Sequence, residues 1–171
     1  MAHTYWKLIG IEFWQGNEHM KKAILYLSRG TEVPRFIKEI YPFIQGEEIQ
    51  LYLLYVLEEK STEKLLERIR DTGFMGEKPR EALKESLHQE YLKRGQEEID
   101  NLLAQFKENG LSTIGLFKVG RVSEQVLQAA TEIGADLIII GQSKKYRFSK
   151  TFPPSELRLI QTHAPCPVKI I

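Results

Sequence analysis

The residues best suited to hold a ligand lie in a basic segment near the C-terminus. Four cations follow Gly141 before a predicted helix begins near Ser155: Lys144, Lys145, Arg147 and Lys150. Cationic side chains attract anions, and the backbone N–H groups of a helix N-terminus point toward a bound anion. The segment therefore predicts an anion site around Gly141, Lys144 and Ser155, with a solvent-exposed loop as the alternative.

A second candidate is the carboxylate Glu12, at the end of an apolar run that suggests a first strand. It is the one residue in this region that could serve as a base or a metal ligand. Phe13 and Trp14 follow it. Their rings could stack on a nucleobase, although large rings also fill a crevice by packing. Both interpretations stay open, and no catalytic residue is assigned.

Metal sites and nucleophilic catalysis have little support in the sequence. The four histidines are far apart, and the single cysteine, Cys166, lies between two prolines. Motifs such as G-x-S-x-G, H-E-x-x-H and the P-loop are absent. A cysteine-based zinc site and an intrachain disulfide are therefore excluded. Asp136 is expected to cap or turn the chain.

Length and charge set further bounds on function. The 171 residues include 24 Lys+Arg and 23 Asp+Glu, a net charge of +1, and 42% are hydrophobic. This fits one domain with a core of its own. The charge balance disfavours the broad positive field of proteins that bind nucleic acids or membranes nonspecifically. With no signal peptide or long apolar stretch, we expect a cytoplasmic protein that binds neither.

Hydrophobic patterns divide the chain into alternating elements that would position these residues. Strands are predicted at residues 6–12, 48–57, 113–119, 136–141 and 168–171. Helices are predicted at residues 17–30, from Pro34 with Pro42 limiting it, near 65–69, at 79–109, at 122–133 and from 154 onward. The pattern predicts one doubly wound α/β domain over residues 1–171, with a five-stranded parallel sheet. Its ligand crevice would lie beyond the carboxyl ends of the strands.

The C-terminal third resembles the universal stress protein family. The resemblance rests on Gly120, Ala129-Ala130, the run Ala-Asp-Leu-Ile-Ile-Ile-Gly at 135–141 and the run Ala-Pro-Cys-Pro-Val at 164–168. It implies an adenine nucleotide alpha hydrolase-like sheet of strand order 3-2-1-4-5. It also implies a homodimer that pairs the last strands of two subunits, here from Pro167 to Ile171.

The resemblance relates the basic segment to the family's ATP-binding pattern. That pattern is a glycine, two residues, a glycine, nine residues, a glycine, and then serine or threonine. Gly141 and Ser155 keep the first and last positions, whereas Lys144 and Pro154 replace the second and third glycines. Both changes oppose a phosphate cradle, because glycine allows close backbone approach and proline lacks an N–H.

Two more positions follow from the resemblance. Glu12 stands where nucleotide-binding members have an aspartate, and Phe13-Trp14 replace a Gly-Ser pair. Val56 matches a residue that packs near adenine, although an apolar residue is expected in any buried strand.

Two functions are therefore considered. The first is a noncatalytic, homodimeric stress-response protein that acts through partners, does not bind ATP in the family's usual way and needs no cofactor. The alternative is an ATP-binding module, with or without slow hydrolysis, whose phosphates lie on the basic segment near Gly141 and Ser155. Residues 58–110 could cover the crevice or contact a partner, although packing on the sheet is favoured.

Overall fold

The computed structural model describes residues 20–28, 30–46, 48–58, 67–68, 77–142 and 153–171. Strands and helices alternate along these residues. They are β1 (Lys21–Leu27), α1 (Val33–Ile44), β2 (Ile49–Leu57), α2 (Glu77–Glu108), β3 (Thr113–Val119), α3 (Val122–Ile133), β4 (Leu137–Gly141), α4 (Pro154–His163) and β5 (Val168–Ile170).

The five strands of the described chain form one parallel sheet in the order β3-β2-β1-β4-β5. In the register, Ala23 of β1 lies opposite Leu51 of β2 and Leu137 of β4. This confirms the predicted fold class and strand order. The order reverses beside β1, so the crevice of the fold lies at the carboxyl ends of β1 and β4.

Two apolar clusters cover opposite faces of the sheet. Ile24 and Tyr26 of β1 belong to the first cluster, and the alternating Ala23 and Leu25 belong to the second. Helices α3 and α4 supply the first cluster with Val126 and Ile160, among others, and α1 and α2 supply the second with Phe36 and Phe106. A doubly wound sheet needs helices on both faces, because its strands are buried on both sides.

The first element differs from the prediction. Residues 21–27 form β1, whereas their apolar spacing predicted a helix from Asn17 to Gly30. Four consecutive residues, Ala23 to Tyr26, are buried, as in a central parallel strand and unlike a one-sided helix. The predicted strand at residues 6–12 lies outside the described residues.

Helix α1 confirms the prediction for Pro34 and corrects the prediction for Pro42. Pro34 lies in the first turn of α1, as predicted, but the helix continues through Pro42 to Ile44. Pro42 is exposed and only two residues from the helix end. Water can therefore reach the carbonyl that loses its N–H partner, and the cost of the proline is small there.

The long helix predicted at residues 79–109 is confirmed as α2. Its C-terminal half packs on β2 and β3: Gly95 lies against the stacked rings of Tyr55 and Phe117, and Ile99 and Leu103 pack over Gly115. The helix thus runs antiparallel to the strands, and its N-terminal half continues past their carboxyl ends. None of the described helices is long and apolar enough to cross a membrane.

Candidate functional site

Three of the five predicted site residues lie at or beside the carboxyl edge of the sheet. Gly141 ends β4, Val56 is next to last in β2, and Ser155 is the second residue of α4. The other two, Glu12 and Lys144, lie outside the described residues. So do the other cations of the basic segment: Lys145, Arg147 and Lys150.

A turn containing Ser28 and Thr31 follows β1, which corrects the expectation that the residues after Glu12 do so. The Ser28 N–H donates to the Gly141 carbonyl at 2.9 Å, and the Thr31 N–H donates to the Ser28 carbonyl at 3.1 Å. The Thr31 hydroxyl lies 2.7 Å from the Ser28 carbonyl oxygen and 3.1 Å from that of Gly141. These contacts tie the ends of β1 and β4 together. Because residues 17–30 are predicted as a helix, the sequence does not indicate that Ser28 and Thr31 follow a strand at the crevice.

Gly141 is required by packing. A Cβ atom at this position would lie 2.5 Å from Cδ2 of the Phe36 ring and 3.1 Å from Cγ2 of Thr31. Contacts this short are not tolerated between carbon atoms, so α1 can lie this close to β4 only where the strand has no side chain. The glycine that suggested a ligand site from the sequence thus has a structural role in holding α1 on the sheet.

Val56 is half-buried and packs against the first apolar cluster, opposite Lys118 in β3. Strand β1 lies between β2 and β4, and each strand spacing is about 4.8 Å. Val56 and Gly141 therefore share an edge of the sheet without being neighbours.

The N-terminus of α4 has few backbone donors to offer a ligand. Pro153 is the N-cap residue and Pro154 begins the helix, so neither position has an N–H. The Glu156 N–H donates to the Pro153 carbonyl at 3.0 Å. Ser155 is exposed, and no side chain caps the helix. This turn is therefore a poor counterpart to the glycine-rich turns that hold phosphates.

The Glu156 carboxylate joins the N-termini of α3 and α4. Its Oε1 accepts from Nε of Arg121 at 2.6 Å, and its Oε2 accepts from the Ser123 N–H at 2.8 Å. Only 8% of the Glu156 side chain is exposed, against 48% of Arg121. The carboxylate thus serves as the N-terminal cap of α3, supplied by the neighbouring helix.

The environment of Glu156 favours its charged form. Burial raises the pKa of the carboxyl, but the hydrogen bonds from Ser123 and the Arg121 guanidinium lower it by more, so that the net pKa lies below the ordinary glutamate value. No sequence motif links the members of this pair, which are 35 residues apart.

Tyr26 also lies near the carboxyl edge, at the penultimate position of β1. Its pKa is raised first by burial and then by the charges of Glu58, Tyr55 and Glu156. The phenol therefore stays neutral, and the charge of Glu156, together with that of Glu58, makes this part of the crevice unfavourable for a phosphate.

Neither a metal site nor an activated thiol is found in the part of the chain that the structure describes. No group of three or more His, Cys, Asp or Glu side chains there could hold a metal ion. Burial, followed by the charge of Asp136, raises the pKa of the Cys166 thiol, which therefore favours its protonated, unreactive form.

Comparison with known protein families shows the family of this chain. Residues 37–171 match the universal stress protein family, a span from α1 to the last residue. The chain belongs to the universal stress protein family. A comparison with curated proteins found no match.

Solved universal stress proteins share this fold at low sequence identity. UspA from Lactobacillus plantarum is 13% identical with a TM-score of 0.61, over 91% of this chain and 99% of that one. A protein from Archaeoglobus fulgidus, solved in complex with dAMP, is 15% identical with a TM-score of 0.55, over 89% and 98%. A family protein from Arabidopsis thaliana, solved with AMP bound, is 13% identical with a TM-score of 0.53, over 88% and 90%.

Helix α4 begins where the sequence resemblance places the last positions of the family's ATP-binding pattern. Pro154 stands at the third glycine position, Ser155 at the hydroxyl position, and the buried carboxylate of Glu156 comes next. The described part of the site therefore combines the family fold with a turn whose first two residues, Pro153 and Pro154, have no N–H and which carries a negative charge.

Proposed function

We propose that this universal stress protein is a noncatalytic homodimer that acts in a cytoplasmic stress response through protein partners, without binding ATP in the family's usual way. One observation supports this most strongly: α4 has Pro153 as its N-cap and Pro154 as its first residue, followed by a buried carboxylate, where a phosphate would need free N–H groups.

The end of β4 gives independent support. The Gly141 carbonyl accepts hydrogen bonds, and the Phe36 ring fills the space beside its Cα. A ligand that approached this backbone closely would have to displace a buried ring of the second cluster. The glycine is therefore used by the fold of the chain itself.

The homodimer is proposed to form at β5. This strand ends the sheet, so its outer edge has backbone groups that no other described strand pairs with. Ile170 on this strand is 38% exposed. Pairing with the same strand of a second copy would satisfy the edge and cover the apolar side chain.

Analytical ultracentrifugation tests the dimer. Ile170→Lys places a charge in the proposed interface, and we expect it to shift the protein from dimer to monomer. Ile114→Lys is the matched control, because Ile114 lies on the opposite edge strand β3 and is 42% exposed. An Ile170→Lys variant that stays dimeric would contradict the proposal that the homodimer forms at β5.

An adenine-nucleotide-binding module is the second candidate function, because the Archaeoglobus fulgidus and Arabidopsis thaliana proteins were solved with dAMP and AMP. In this case Lys144, Lys145, Arg147 and Ser155 would hold the phosphates by charge rather than by a glycine turn.

Calorimetric titration of the full chain with ATP and Mg²⁺ separates the two functions. The first predicts no saturable heat. The second predicts saturable binding that Lys144→Ala and Ser155→Ala each weaken, while Lys84→Ala, an exposed lysine of α2, leaves it unchanged.

A further inference from the structure

The N-terminus of α3 has the features of an anion site whose ligand is part of the same chain. A guanidinium, a backbone N–H and the positive end of a helix of 12 residues all face the Glu156 carboxylate. Arg121 directly precedes the helix, and Ser123 lies in its first turn. The same three kinds of group hold phosphates and carboxylates bound from solution.

The Ser123 hydroxyl is an independent sign of such a site. The residue is 1% exposed, and its Oγ lies close enough to the Glu156 carboxyl to lower the pKa of that group, but it makes no hydrogen bond of ordinary geometry with a described residue. A buried hydroxyl without a partner is costly, because its desolvation is not compensated. The site thus has a hydroxyl that faces Glu156 and that Glu156 leaves without a full hydrogen bond, which suits a ligand with more acceptor oxygens than one carboxylate presents.

Removing Glu156 would leave the cation of the site without its buried counter-ion. Arg121 is the cation in contact with it, and Glu124 is the other carboxylate beside that guanidinium, 4.0 Å from its Nη1 and 66% exposed. Tyr26 nearby stays neutral, and Glu58 adds a negative charge on the side of Tyr26. Without Glu156, the guanidinium and the positive end of α3 would lose their buried partner and become open to an anion from solution.

We propose that Glu156 is the built-in occupant of an anion site formed by Arg121 and Ser123, and that it closes this site to carboxylate and phosphate groups from solution. The inference rests on the proposed function and deepens it, because the same residue stands in the first turn of α4. Glu156 is thus the residue that determines the ligand specificity of this part of the crevice.

Acetate tests the proposal, because it matches the group that Glu156→Ala removes. The melting temperature of the full-length variant is followed by circular dichroism as acetate replaces chloride at constant ionic strength. We expect a saturable rise that restores at least half of the loss caused by the substitution. Inorganic phosphate is then titrated in the same way and is also expected to stabilise the variant, since Ser123 supplies an additional donor.

Two control variants separate a filled site from a general salt effect. Glu156→Gln keeps the side-chain volume, so acetate should not stabilise it. Glu132→Ala also removes a carboxylate from an ion pair, but this one is 47% exposed and does not cap a helix, so its response should match that of the unmodified chain. Equal responses of Glu156→Ala and Glu132→Ala to both anions would overturn the proposal.

The anion titration remains informative if the Glu156→Ala variant does not fold. If Glu156→Ala is unfolded in chloride, acetate should restore its helical signal and chloride should not; an absence of recovery with acetate and with phosphate would overturn the proposal. The proposed function fails by a different result, namely saturable ATP binding by the unmodified chain. The anion-site proposal and the proposed function can therefore be contradicted independently of each other.

Discussion

The two sides of the crevice are closed by different interactions. At the ends of β1 and β4, a phenylalanine ring packs on Gly141 and hydrogen bonds tie the two strands together. At the ends of α3 and α4, the Glu156 carboxylate and the Arg121 guanidinium fill the space. The first side depends on shape and the second on charge. They should therefore respond differently to substitution, pH and external anions.

The largest effect is expected from adding a side chain on the apolar side. Gly141→Val should lower the free energy of unfolding by about 3 kcal/mol, because its side chain would overlap the Phe36 ring. Urea denaturation measures the loss. The double variant Gly141→Val/Phe36→Ala should be more stable than the sum of the two single losses predicts. Additive losses would show that the close approach of Phe36 does not matter.

A smaller loss is expected on the charged side. Glu156→Gln should lower the free energy of unfolding by roughly 1–2 kcal/mol near neutral pH, because the amide accepts from the Ser123 N–H or from Arg121 less strongly than the carboxylate. Urea denaturation at pH 7 checks this. A variant as stable as the unmodified chain would mean that the cap on α3 contributes nothing.

The pH dependence sharpens the comparison. The pKa of Glu156 is lower in the folded state than in the unfolded chain, so its stabilisation is present above about pH 5 and is lost as the pH falls through the folded-state value. The stability difference between the unmodified chain and Glu156→Gln should therefore shrink from pH 7 to pH 3. The loss caused by Gly141→Val should not change with pH, and a parallel decline of both differences would contradict this.

The smallest effect is expected at an exposed ion pair. Glu132 lies 2.8 Å from Nζ of Lys118, a distance close to that between Glu156 and Arg121, but its side chain is 47% exposed against 8% for Glu156. Hydrogen bonds from Lys118 and Gln128 lower the pKa of Glu132. Water and salt screen such a pair, so Glu132→Gln should reduce the melting temperature by a small fraction of the Glu156→Gln effect. An equal effect would show that burial does not distinguish the pairs.

The sequence was sufficient to predict most of the fold. The strands β2 and β4 have continuous apolar runs between polar segments, and α3 has a helical stripe that ends at Gly134, whose φ is 63°. The sequence of β1 predicts a helix instead of a strand, because its buried run also has apolar residues at a spacing of three and four. Only its pairing with β2 and β4 resolves this ambiguity.

The site was less predictable, since its main contacts join distant residues. Gly141 was singled out for its type, but its partner Phe36 is on another element and is brought near only by the packing of α1. Glu156 has no local signature, because its role depends on how α3 and α4 meet. In both cases the residue type was visible in the sequence and the contact that explains it was not.

Native mass spectrometry of the purified full-length protein tests the central claim most directly, because one spectrum gives the mass of the assembly and of any retained ligand. The proposed function predicts a dimer free of nucleotide, both as purified and after incubation with ATP. A dimer that carries one adenine nucleotide per subunit would contradict it and favour the nucleotide-binding alternative.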